Sequence, residues 1–418
     1  MKWTTTTIQR VSQQTQVCNP RERQESLFKY IDISSIDRDK KIISQAPEIK
    51  GAKAPSRARK EVNAGDILVS TVRPNLNAVA IVPPELDSQI ASTGFSVLRP
   101  ESDLINGRYL FYFVQTSGFI DALTSKVRGA HYPAVSDTDV KNVELPLPTI
   151  AEQHRIVEIL DQAHALRKSR TNADTKAVRI LPALFYQMFG DPLLNTKDFE
   201  RVCLGDAGIA EINPRAPSRD LPNDLEVSFV PMADVNEDWG QITGCQIKEL
   251  GEVKKGFTSF LENDVLFAKI TPCMENGKAA IARGLGNGLG YGSTEFHVLR
   301  AGDLVTPEWI YGLTRLDIFR NVAKGNFIGS VGQQRVPADF LRSFRVPLPP
   351  KKLIEKFSIV VRELLQENDY RREAEKRISQ LVQITMHHAF SGKLTEGWRR
   401  AHLKEEFQEI EHQARAGT

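Results

Sequence analysis

The chain has 418 residues, 41% of them apolar and 26% charged, with a net charge of +3. That is an ordinary soluble composition with room for two or three full-sized cores, and so small a net charge excludes a uniformly basic surface, so any nucleic-acid contact must be local. No run of 18 apolar residues occurs and the start MKWTTTTIQR lacks the apolar core of a signal peptide, so a cytoplasmic protein away from membranes is expected. Cys18, Cys203, Cys245 and Cys273 are far apart, with no CxxC and no His at ligand spacing, which predicts reduced structural thiols rather than zinc or a disulfide framework.

Residues 1–149 read as a first globular module. Short β-branched runs such as DILVSTV from Asp66 and AVAIV from Ala78 are punctuated by Pro, Gly and Asn, and a helix is expected near Tyr109 to Leu123. The segment LPLPTIAEQHRIVEIL then begins at Leu145. Thr149 followed by Glu152 is a capping box, and Gly190 with Pro192 is a helix stop, so one helix over 150–190 is predicted, roughly 60 Å long.

Apolar residues in that helix recur in alternating steps of four and three: Ile156, Leu160, Ala163, then Ala177, Leu181, Leu184, Met188. This is a heptad seam, and its centre carries Arg167, Arg170 and Asp174. The stripe is too narrow for a globular core and suits a single partner helix.

The whole arrangement then returns. Tyr30-Ile31-Asp32-Ile33 matches Phe229-Val230-Pro231-Met232, and Asp66-Ile67-Leu68-Val69 matches Asp264-Val265-Leu266-Phe267. Ser92-Thr93-Gly94-Phe95-Ser96-Val97-Leu98-Arg99 matches Ser293-Thr294-Glu295-Phe296-His297-Val298-Leu299-Arg300. A second module over 191–349, with a helix near Glu308 to Val322, leads into a second long helix over 350–392. Its seam is Phe357, Val361, Leu364, Asn368, Arg371, Glu375, Ile378, Val382, Thr385 and Ala389. Residues 393–418 form a charged tail, expected after Trp398 to be a frayed helix or unstructured.

The fold expected is therefore α+β: two pseudo-symmetric modules of mixed strands and short helices, joined by two long antiparallel coiled-coil helices. Centring the helix pair on its polar layer sets Arg170 opposite Glu375 and Arg371 opposite Asp174. The same register sets Ala163 opposite Val382, Leu181 opposite Leu364 and Met188 opposite Phe357.

Catalytic motifs are absent from the sequence. There is no GxxxxGK[ST] loop, GxGxxG before a helix, HExxH or GxSxG, and Ser391-Gly392-Lys393 is a helix stop followed by a lysine. The glycines from Gly284 to Gly292 are expected in a flexible hairpin. Asn19-Pro20 and Asn213-Pro214 lack the Pro and aromatic of an amino-methyltransferase motif and read as turns. His387-His388 reads as a solvated or interface pair.

Basic and polar residues recur in matched loops instead. Lys50, Lys53, Arg57, Arg59 and Lys60 precede the first DILV strand, and Lys248, Lys254 and Lys255 precede DVLF; Arg73-Pro74-Asn75 and Lys269-Ile270-Thr271-Pro272 follow those strands. Arg128-Gly129-Ala130-His131-Tyr132 is answered by Lys324-Gly325-Asn326-Phe327, then by Gln333-Gln334-Arg335. Arg, Asn and Gln can contact purine edges bidentately, while Lys and Arg neutralise phosphate, so the set favours DNA over solvated loops. Arg335 and Gln333, with Arg73 and Asn75 in the first module, are the expected base contacts.

LPLPTIAEQHRIVEIL at Leu145, AFSGKLTEGWR at Ala389, STVRPNLNAVAIV at Ser70, FAKITPCMENGKAAI at Phe267 and GSVGQQRVP at Gly329 resemble the specificity (S) subunit of type I restriction-modification enzymes over the whole chain. The second copy departs where Lys352-Leu353-Ile354-Glu355 replaces Ala151-Glu152-Gln153-His154. The resemblance implies a non-catalytic subunit whose two target-recognition domains each read half of a split, asymmetric site in double-stranded DNA. It implies that the helix pair holds two methyltransferase (modification) subunits, which two ATP-dependent restriction subunits can join. S-adenosylmethionine would bind the modification subunits, ATP and Mg the restriction subunits, and no cofactor this chain. A subunit of a modification-only or type IIB-like system, or a tandem scaffold with no DNA role, are the alternatives.

Overall fold

The computed structural model describes residues 3–129, 133–215, 220–330 and 332–402. It divides into two compact units, Met1–Lys168 with Arg377–Thr418, and Ser169–Lys376. Each unit thus owns one module and a part of both long helices, a division that cuts both predicted helices in mid-length.

In the first unit, one sheet runs in the order Ser12–Gln13, Phe95–Pro100, Ile67–Ser70, Val79–Ile81, and a second in the order Glu48–Lys50, Leu27–Ile31, Gln89–Ser92, Ala58–Val62. The second unit repeats both: Ala210–Ile212, Phe296–Ala301, Val265–Ala268, Ala279–Ile281, and Gln246–Glu249, Glu226–Val230, Leu289–Gly292, Thr258–Leu261. Among the described residues each module has one parallel pairing, and the two fall on equivalent strands, with Tyr30 beside Ile90 and Phe229 beside Tyr291.

Alternation of apolar residues fills the space between the sheets, with Ile31, Val62, Leu68, Phe95 and Val97 in one module and Val230, Phe260, Leu266, Phe296 and Val298 in the other. A polar pair recurs at the same place in each module. Arg99 donates through Nε and Nη2 to Asp66, both at 2.8 Å, and Arg300 does the same to Asp264 at 2.8 and 2.7 Å. Both aspartates are buried, so each needs its bidentate partner.

The helices depart from expectation in informative ways. Each predicted short helix is two, Gly107–Phe113 with Ser117–Thr124, and Pro307–Thr314 with Asp317–Gly325. Thr116 restarts the chain because its extended backbone and its Oγ1, which accepts from Phe119 N at 3.2 Å, form a cap. The central helix is likewise interrupted, running Ile150–Ala177 and then Ile180–Phe189. Pro182 has no N–H for the carbonyl of Val178, four residues earlier, and its ring crowds that carbonyl. Lys351–Phe390 has no proline and is continuous over 40 residues. Gly290, expected in a flexible hairpin, instead lies buried in a strand, where a Cβ would stand 2.1 Å from the Phe260 ring.

Within each unit the helix segments run antiparallel. In the second, Phe357 meets Phe185 and Phe189 at 5.7 and 5.0 Å between ring centroids, while Ala177, Val178 and Leu181 line a small cavity with Val361, Leu364 and Asn368. The buried face is wider than a two-helix seam, because the helix ends enter the globular cores. Phe185, Ile354, Phe357 and Val361 join Trp309 and Phe319, and in the first unit Ile156, Val157, Leu160 and Ala389 join Tyr109 and Phe119.

The polar layer is closed locally. Arg170 donates through Nε to Asp174 at 3.0 Å, four residues on in the same helix. Among the described residues no ion pair joins Arg170 to Glu375 or Arg371 to Asp174, which corrects the cross-helix pairing: the i, i+4 partner is already on the same face, and Glu375 is exposed. Of the tail, residues 403–418 lie outside the described residues; before them Glu396–Ala401 is helical and buries Arg399. Among the described residues, no helix is long and apolar enough to cross a membrane.

Candidate nucleic-acid interface

The matched loops are brought together by the backbone at one end of each module. In the first, Val72 and Arg128 both bridge to Ala134, so the loop after Ile67–Ser70 and the loop after Ser117–Thr124 share one short strand. Thr71 N donates to Gly94 O at 2.8 Å, Val135 N to Thr71 O at 2.9 Å and Arg73 N to Pro133 O at 2.8 Å. Thr93 N donates to Arg57 O at 2.8 Å, which draws Arg57 to the same end. Arg73 adopts φ 49° and ψ 61°, a left-handed turn that leads directly into Pro74–Leu76.

The second module repeats the two bridges and the first three of these bonds. Ile270 and Ile328 bridge to Arg335; Lys269 N donates to Glu295 O at 2.9 Å, Val336 N to Lys269 O at 2.9 Å and Thr271 N to Gln334 O at 3.0 Å. This corrects the sequence matching of the distal loop. Arg128 is the counterpart of Ile328, not of Lys324, and the glycine that fixes the turn is Gly129 (φ 92°) or Gly329 (φ 110°), not Gly325.

The candidate residues now separate into groups. Arg57, Arg73, Asn75, Arg128, Lys255 and Gln333 are exposed and Lys269 and Gln334 half-buried, and among the described residues none of these eight side chains has a hydrogen bond or ion pair. Arg59 donates back to Ser56 O at 3.1 Å, and Asn326 back to Val322 O at 2.9 Å. Lys60 is held by Asp137 at 3.0 Å, Lys50 by Glu25 at 3.1 Å, and Lys248 lies 4.4 Å above the Phe229 ring. Thr271 and Lys324 both bind Glu275. His131 and Tyr132 lie outside the described residues.

Arg335, read from sequence as a base contact, is occupied. It donates through Nε and Nη2 to Glu295 at 2.8 and 2.9 Å and through Nη1 to Gln333 O at 2.9 Å. The Arg335 hydrogen bonds hold the Glu295 carboxyl below its usual range. Sequence reasoning followed cations and missed Glu295 and Glu275, although Glu295 is visible in the repeated run as one of two replacements, Glu295 for Gly94 and His297 for Ser96. Below the loop, His297 places Nε2 2.8 Å from Val336 O, and burial pushes its pKa down to about 4, so the ring is neutral and donates there.

Two exposed, cationic and amide-bearing loop ends of the same construction, one per module, make a repeated polar surface. Residues 25–175 and residues 196–366 each match the family described as Type I restriction modification DNA specificity domain. The chain belongs to that family. Among its curated relatives, the type I restriction enzyme EcoAI specificity subunit of Escherichia coli is 39% identical over 155 residues, which are 37% of this chain and 26% of that protein. The MjaIX specificity subunit of Methanocaldococcus jannaschii is 24% identical over 256 residues, 48% of this chain and 58% of that one. The match thus spans about a quarter of the first relative's length. A solved chain described under "complex assembly and conformational transition of the type I R-M system" is similar in fold, with a TM-score of 0.62 at 24% identity over 94% of this chain and 98% of that one.

Proposed function

We propose that this specificity-family chain is the non-catalytic, DNA-reading subunit of a type I restriction-modification complex. Residues 1–149 and 191–349 are the two target-recognition domains, each reading half of a bipartite asymmetric site, and the helices over 150–190 and 350–392 are the spacer that fixes half-site separation and docks two modification subunits. S-adenosylmethionine is used by those partners, ATP and Mg by restriction subunits where these join, and the complex works in the cytoplasm.

The observation that carries this reading is the repeated loop end. Arg73 and Asn75 in one module, and Lys269 and Gln333 in the other, are presented by the same set of backbone bonds, their side chains without a hydrogen bond or ion pair among the described residues. Such side chains suit phosphate and base-edge contacts in a duplex groove. The test is binding of the chain, assembled with its modification subunits, to duplex DNA over a range of salt. The reading predicts a steep linear fall of log affinity with log salt and methylation of a split motif. A flat salt response with no motif would make the chain a scaffold.

A further inference from the structure

The fork between Arg335 and Glu295 sits at the root of the second reading loop and ties three chain segments together. Glu295 O holds Lys269 N, Arg335 pairs with Ile328 through both its N–H (2.9 Å) and its C=O (3.0 Å), and the side chains close the third side at 2.8 and 2.9 Å. His297, 4% exposed, anchors the next residue through Val336 O. Beyond these anchors the exposed Gln333 side chain has no hydrogen-bond partner among the described residues, its own carbonyl held by Arg335 Nη1.

A guanidinium reads guanine with two adjacent N–H groups in one plane. In Arg335 that edge, Nε with Nη2, already faces a carboxylate of complementary geometry, and breaking a bidentate charged pair to free it is costly. The first module has the same backbone bonds without the pin, since Gly94, Ala134 and Ser96 stand where Glu295, Arg335 and His297 do. The pin is therefore an addition to one reader, not part of the shared construction.

Building on the proposal that this module reads bases, we infer that Glu295 and Arg335 are positioning residues: their fork sets where the hairpin tip stands, and Gln333, not Arg335, discriminates bases in the second half-site. The experiment is single-molecule methylation sequencing of cells carrying the chain with its modification subunits, with each half-site scored separately. Glu295→Gln and Arg335→Ala are each expected to blunt discrimination in the second half-site about fivefold to a hundredfold, over more than one base position. Arg335→Lys should retain part of it. The exchanged pair, Glu295→Arg with Arg335→Glu, should recover most of it, and Gln333→Ala should lose it at a single position. An unchanged first half-site in the same molecules reports that the chain is folded and assembled; should Arg335→Ala lose both half-sites, Glu295→Gln and Arg335→Lys decide.

If Arg335→Ala erases one base position while Glu295→Gln leaves the motif intact, Arg335 is itself the reader and the inference is wrong. It is equally wrong if Gln333→Ala leaves the second half-site unchanged. Failure of the underlying reading looks different: replacing the whole second module would then leave the second half-site as it was.

Discussion

Arg399 donates through Nε and Nη2 to Oε1 of Glu152 at 2.9 and 2.7 Å, a carboxylate with no solvent exposure at the start of the central helix. Trp3 Nε1 donates to the other oxygen at 2.8 Å, and its ring centroid lies 4.9 Å from the guanidinium. Arg399→Ala leaves that charge buried and short of its counter-ion, and should cost the first unit about 3 to 5 kcal/mol in chemical denaturation. The double replacement Glu152→Leu, Arg399→Met should cost less, since Leu353 fills the equivalent place in the second copy. Equal losses from the single and double changes would show that packing, not charge, is at stake.

His297 gives the second module an acid sensitivity. Its folded pKa is about 4 because it is buried, whereas an unfolded histidine titrates near 6.5. Between those values the unfolded chain binds the proton and the folded one does not. Stability is then full above about pH 6.5 and falls as pH drops toward 4, by up to about 3 kcal/mol. His297→Ser, the residue of the first module, should remove this slope from a plot of unfolding free energy against pH; an unchanged slope would place its origin elsewhere.

The charged middle of the helices is accounted for by Arg170 and Asp174, with side chains 23% and 13% exposed. A double-mutant cycle on that pair should give about 0.3 to 1 kcal/mol of coupling, and one on Arg170 with Glu375 close to none. Strong coupling to Glu375 would restore the cross-helix pairing.

Much of the fold was legible because the duplication repeats residues with obligatory roles. Asp66 with Arg99 and Asp264 with Arg300 stand at matching places in both halves, as do the β-branched strands between them. Sheet order was not legible, since it depends on pairings between distant segments such as Tyr30 with Ile90. The break at Pro182 was written in the sequence, but an unbroken heptad count hid it. In the candidate interface the loops were found and their register missed, because the Lys-Gly and Arg-Gly pairs look alike while Gly129 and Gly329 hold positive φ and Gly325 does not. Which cations are free cannot be read from a list of cations; it is decided by Glu275 and Glu295 across the loop.

For the first module, Arg73→Ala in the assembled complex should relax one position of the first half-site at a cost of about 1 to 3 kcal/mol in discrimination. Arg128→Ala should instead weaken binding to all sequences alike and lower the salt slope by about 1. Competition binding on variant duplexes separates the two; a uniform loss from Arg73→Ala would make it a phosphate contact.

The most direct measurement is the methylome of cells in which residues 200–345 are exchanged for the same segment of a relative with a different target, all partner subunits being kept. The account predicts that the second half-site changes to that of the donor, while the first half-site and the number of base pairs between them stay as they were. A change in both half-sites, or in neither, would contradict it.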